Sequence, residues 1–244
     1  MGNTSLLGKR VYALDDKLKI KIPTLGEIRD DEFNALYYTL TTPFITTSTN
    51  FMVDLFDNGI NFEDVSDWEI CIKLISSMLN QNFDILFQTE KPCFFQLRQS
   101  LEKCENISDS LFFIDELNGI IINKSSYKHI SNLLCKINFV EKEHRKFVNK
   151  KTLTYVIERE KEKAKRKKHK TDEGIDNLIL AMVCDANFPY NFETINDITI
   201  YDFYASVRQI RHSFELNNVM RAGYSGMLDL EKVSPNTLNF CIKL

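Results

Sequence analysis

Residues 19–33, KIKIPTLGEIRDDEF, and residues 43–70, PFITTSTNFMVDLFDNGINFEDVSDWEI, decide how the chain folds. Leu18-Lys19-Ile20-Lys21-Ile22 alternates apolar and charged side chains, the pattern of a half-buried strand. Pro23 ends it. Thr24 and Glu27 then form a capping-box pair, in which the hydroxyl accepts from the third amide and the carboxylate reaches back. Ile28, Phe33, Leu36, Tyr37 and Leu40 continue at helical spacing, which predicts one helix stopping before Pro43. Thr46 to Asn50 offer N-caps for a second helix through Phe51, Val53, Leu55 and Phe56, broken at Asn58-Gly59. Ser66 and Glu69 form another capping box, opening a helix with Trp68, Ile72, Ile75 and Leu79 on one face.

Working outward, residues 1–16 read as a mobile or loosely docked arm. Residues 83–124 read as extended: Leu111–Ile114 and Ile120–Ile122 flank an Asn118-Gly119 turn and predict a β-hairpin. Ser125 or Ser126 caps a helix through Tyr127, Ile130, Leu133 and Leu134. Ile175, Leu178, Ile179 and Met182 mark another apolar helical face. Thr199 caps a long helix through Phe203, Val207, Ile210 and Phe214, ending near Gly223 in a left-handed C-cap. The expected fold is mostly α with a small β-hairpin element, an α+β helical protein. Three sections are expected: residues 1–150 with the β element, a basic connector or exposed helix at 151–171, and a helical section at 172–244.

Composition bounds the function. The chain has 244 residues, a formal charge of −3 and 43% hydrophobic residues, ordinary for a folded protein. There is no overall attraction to nucleic acid or an anionic membrane. The first hundred residues carry nine Lys/Arg against fourteen Asp/Glu, whereas residues 151–170 carry nine against three. No apolar run approaches the roughly 18 residues of a membrane span, and no secretory h-region is visible. Six scattered cysteines without a CxxC pair suggest buried thiols in a reducing cytoplasm.

Reactive motifs are absent. The eight glycines form neither GxxxxGK nor GxGxxG, and nothing matches GxSxG. Glu141 and His144 make a single ExxH with no second copy, short of a di-iron set, so no metal and no cofactor are expected. A triad can assemble from distant residues without a local motif, but no enzymatic role is expected.

Two surfaces stand out. The run from Arg159 to Lys170 holds eight Lys/Arg in twelve residues, with Lys165, Arg166, Lys167, Lys168 and Lys170 as its basic patch. Lacking interleaved aromatics, it reads first as a solvated helix with pairs three or four residues apart, then as a site for an acidic protein partner or nucleic acid. The aromatic-acidic loop sets Phe51, Phe56, Phe62 and Trp68 among five acids, either as a core under a solvated rim or as a partner surface. Tyr201, Tyr204, Arg208 and Arg211 on the long C-terminal helix form a second partner candidate.

The stretches KIKIPTLGEI (19–28), LFDNGINFEDVSDWEI (55–70), ITIYDFYASVRQI (198–210) and RAGYSG (221–226) resemble proteins of the tail-assembly gene region of bacteriophages and prophages of low-GC Gram-positive bacteria. The resemblance implies a tail-morphogenesis protein, a chaperone that holds the helical tape-measure protein until tube subunits replace it. It also implies a place in the host cytoplasm or the virion, phage tail proteins as partners, and no membrane. Self-association stays open. A structural tail, neck or baseplate component is the alternative, and a nucleic-acid-binding regulator using the basic run is a second.

Overall fold

The computed structural model describes residues 5–101, 106–166 and 175–242. It is an α+β protein, with nine α-helices and two small antiparallel sheets among those residues. The chain divides into two units. One joins Met1–Lys9, Pro23–Arg29 and Glu173–Leu244; the other joins Arg10–Ile22 and Asp30–Asp172.

In the larger unit the N-terminal arm is partly ordered, contrary to expectation. Strand β1 (Val11–Ala13) pairs antiparallel with β2 (Lys19–Lys21), Val11 facing Lys21. Asp15 closes the turn by accepting from the amides of Lys17 and Leu18 at 2.8 and 2.6 Å. The amide of Lys21 then donates to the Leu86 carbonyl at 2.8 Å, so β2 is held from both sides.

The single helix expected from Thr24 to Pro43 is two. Helix α1 (Leu25–Arg29) starts at the Thr24–Glu27 capping box as read, but Asp30 is extended and caps α2 (Asp31–Ile45) by accepting from the Phe33 amide at 2.8 Å. Asp31 and Glu32 suit the positive end of the new helix. Pro43 lies inside α2 rather than beyond it. The hydroxyls of Thr39, Thr42 and Thr46 bond back to carbonyls four residues earlier, a pattern that bends helices, and Pro43 lies in the last turn, where it removes one backbone donor.

A 3₁₀ turn (Ser48–Phe51) leads into α3 (Met52–Asp57), and α4 (Asp67–Ser76) starts at the Ser66–Glu69 capping box. The hairpin forms as expected from β4 (Leu111–Asp115) and β5 (Ile120–Ile122), with Asp115 facing Ile120. A third strand, β3 (Gln96–Gln99), pairs with β4 after the short α5 (Ile107–Ser110) has turned the chain. Helix α6 (Lys124–Ile137) is capped by Asn123 rather than a serine, because its side chain accepts from the Ser125 and Ser126 amides. Helix α7 (Lys150–Arg166) closes the unit.

The core of this unit is a chain of aromatic rings. Phe113 meets Trp68 edge-on at 6.1 Å, Trp68 meets Tyr127 at 5.3 Å, and Tyr127, Phe44, Phe87, Phe95 and Phe83 follow with centroids 5.0–6.5 Å apart. Each buried aromatic removes a large apolar area from water, and such pairings add about 0.5–1.5 kcal/mol apiece.

In the smaller unit α1 packs with α8 (Ile175–Val183) and α9 (Ile200–Tyr224) around Leu25, Ile179, Met182, Phe188, Ile195, Ile198, Phe203 and Val207. Two backbone bonds tie the separate segments: Leu25 donates to Ile198, and Ile200 donates to Pro23, both at 2.8 Å. Gly26 lies so close that a Cβ there would stand 3.0 Å from the Asn196 carbonyl oxygen. Thr199 caps α9 as read, but Gly223 is helical. The left-handed glycine is Gly226, φ +72°, past the helix end.

Free cysteines among the described residues are of both kinds: Cys71 and Cys93 are buried, whereas Cys184 and Cys241 are exposed. The latter two lie on the C-terminal segments, outside the packed cluster. No helix among the described residues is long and apolar enough to cross a membrane.

Candidate functional site

The aromatic-acidic loop is built by a sharp reversal after α3. Gly59 takes φ +72°, and the Ile60 amide donates back to the Leu55 carbonyl at 2.9 Å. Asn61 caps the following 3₁₀ turn (Phe62–Asp64). This reversal sends alternate residues in opposite directions. Phe56 and Ile60 stay 38% and 47% exposed, whereas Phe62 is 2% exposed and packs edge-on against Phe147 at 5.9 Å. Trp68 is equally buried, and its indole Nε1–H donates to the Ser108 carbonyl at 2.9 Å. Of the four aromatics singled out by the sequence, Phe62 and Trp68 therefore belong to the interior, and Phe51 is half-buried on the core beneath Met52 and Leu55.

Two adjoining clefts open on this surface and share Ile60. One, of about 840 Å³, is lined by Phe56, Ile60, Phe62, Phe147, Val148 and Leu153 together with polar neighbours. The other, of about 400 Å³, is lined by Phe51, Leu55, Ile60, Ile70 and Leu74. Their ionic lining is acidic: Asp54, Glu63 and Asp64 against Lys73. Glu63 Oε1 accepts from the Phe147 amide at 2.9 Å, fixing the segment after residue 141 over the loop. Ile60, Phe147 and Val148 were not legible as site residues. Phe147 and Val148 sit in a charged stretch without apolar periodicity, and the only local hint of Ile60 is its place after Asn58-Gly59.

The second candidate group divides in the same way. Tyr201 is buried, Tyr204 is half-buried beside Phe203, and Arg208 and Arg211 are exposed one and two turns further along α9. Burial pushes both phenols above their ordinary pKa, so they stay uncharged at neutral pH.

The basic run continues α7 as far as Arg166, and Lys165 is exposed. Its upstream charges are engaged: Lys163 pairs with Glu160 at 2.7 Å, and Lys161 pairs with Asp57 at 2.6 Å. Lys167, Lys168 and Lys170 lie outside the described residues.

Among the described residues no group of three or more His, Cys, Asp or Glu is placed to hold a metal. Burial pushes the Cys71 and Cys93 thiols up, which keeps them protonated and poorly nucleophilic.

Residues 165–240 match the family model described as the YomV second domain. The match covers under a third of the chain, over α8, α9 and the segments after them, and includes none of the cleft residues. No curated protein and no solved structure matches the chain. The C-terminal section is thus similar to the YomV second domain, a likeness that points to a phage-associated protein.

Proposed function

We propose that this chain is a phage tail-morphogenesis protein that acts by binding, without catalysing a reaction. Its partner is a long, amphipathic, helical protein of the tape-measure kind. The observation that supports this reading is the pair of clefts sharing Ile60, whose lining combines large apolar side chains with a mostly acidic set of charges. A helix that lays one apolar face into such a groove is a recurrent recognition mode, and basic flanks on that helix would meet Asp54, Glu63 and Asp64. Tape-measure-like helices supply the apolar face in long repeats, and a chaperone that covers it keeps the partner from aggregating.

The test is affinity capture of the tagged full-length chain from cells assembling the phage, beside a mass-spectrometric count of the chain in purified particles. Capture of the tape-measure protein from lysate, with the chain absent from particles, is expected. Stoichiometric presence in particles would replace the chaperone role by a structural tail, neck or baseplate role. Failure to capture any tail protein, with absence from particles, would overturn the tail reading.

A further inference from the structure

A third cleft in the larger unit, of about 470 Å³, lies beside the N-terminus of α4 and has a different chemistry. Its ionic lining is mostly cationic: Lys124, Lys128, Lys142, Arg145 and Lys146 with His144, against Glu63 and Asp67. Most of these are engaged. Lys142 Nζ stands 3.1 Å from Asp67 Oδ2 and 3.0 Å from the Tyr127 hydroxyl. His144 Nε2 lies 3.7 Å from the same carboxylate, Lys124 pairs with Asp109, and Arg145 pairs with Glu143. Asp67 is therefore already neutralised. Lys128 and Lys146 are exposed and have no ion-pair partner among the described residues. Ser48 and Thr49, also in the lining, are buried, and the Thr49 hydroxyl accepts from the Arg145 amide at 3.1 Å.

We propose that this cleft binds a phosphate-bearing small molecule, with Lys128 and Lys146 meeting the phosphate charge and Lys142 and Arg145 positioning its oxygens. Cationic side chains gathered in one cleft are the charge-assisted donors that phosphate oxygens take. The volume lies in the range of small-ligand sites, roughly 300–1,000 Å³. A nucleic-acid strand fits poorly, because the lining aromatics Trp68 and Tyr127 are interior and offer no face for stacking bases.

The test is calorimetric titration of the full chain at low ionic strength with inorganic pyrophosphate and, separately, with adenosine monophosphate. Saturable binding of either probe that weakens as salt rises is expected. A tighter monophosphate would identify an organic phosphate, and equal affinities would identify the phosphate group itself as the determinant. Lys128→Glu with Lys146→Glu should weaken binding at least about tenfold, because each change replaces an attracting charge by a repelling one. Arg221→Glu, exposed in the last turn of α9, should leave it unchanged. No saturable heat with either probe, or equal affinity in the double variant, would overturn the proposal. So would a single-stranded oligonucleotide whose affinity rises with its length beyond both probes.

Discussion

Trp68 is the single tryptophan of the chain and the hub of the larger unit's core, which makes Trp68→Ala the sharpest test of the packing account. The ring is 2% exposed and touches Phe113 at 6.1 Å and Tyr127 at 5.3 Å between ring centres. Truncating a buried tryptophan costs about 3–5 kcal/mol in transfer and cavity terms. The substitution also leaves the Ser108 carbonyl without its 2.9 Å donor. A loss of about 4 kcal/mol is a large share of the 5–15 kcal/mol typical of a folded domain. With a urea slope of about 2 kcal/mol/M, the midpoint should fall by about 2 M. Trp68→Phe restores most of the apolar volume but not the N–H donor, and should cost about 1–2 kcal/mol. The assay is urea denaturation followed by far-UV ellipticity, with the wild-type fluorescence of Trp68 identifying which transition belongs to the larger unit. A loss below about 1 kcal/mol for Trp68→Ala would mean that the ring is not packed as described.

Three further outcomes follow from the geometry. Phe56→Asp with Ile60→Asp should abolish capture of a tail partner while moving the melting temperature little, because both side chains are substantially exposed; unchanged capture would sink the cleft. Burial pushes the Glu69 carboxyl up, but the Ser66 amide and hydroxyl bonded to it, with Ser108, pull it down further, and the net pKa is lowered. Glu69 thus contributes stability above the ordinary carboxylate pKa and loses it as pH falls through the lowered value, so Glu69→Gln should flatten the acid limb of a stability–pH curve. Asp67→Asn leaves Lys142 partly buried beside Tyr127 without its carboxylate and should cost about 2 kcal/mol, a loss that Lys142→Met in the same chain partly restores in a double-mutant cycle.

What was legible in the sequence was local. The Ser66–Glu69 and Thr24–Glu27 boxes and the Thr199 cap depend on residues three positions apart, the hairpin around Gly119 on residues up to nine apart, and each forms as read. The misreadings arose where distant segments decide. Nothing near Leu25 announces that it joins Ile198 and Phe203, and β1 exists because β2 lies opposite it. Pro43 misleads because a proline in the last turn removes a single helical bond, and the buried Leu40, Pro43 and Phe44 hold that turn in the core. The site was half visible for the same reason. The aromatic-acidic pattern located the loop, but the turn at Gly59 decides that Ile60 faces outward and Phe62 inward. Phe147, which completes the cleft wall, arrives from 84 positions beyond Glu63 through one backbone amide.

The most direct test of the binding account places a photo-cross-linking amino acid at Ile60 in the full chain, in cells assembling the phage, with Leu117 on the exposed hairpin turn as the control position. The account predicts an adduct between position 60 and a helical tail protein, and none from position 117. No adduct at position 60, or the same adduct from both positions, would contradict it.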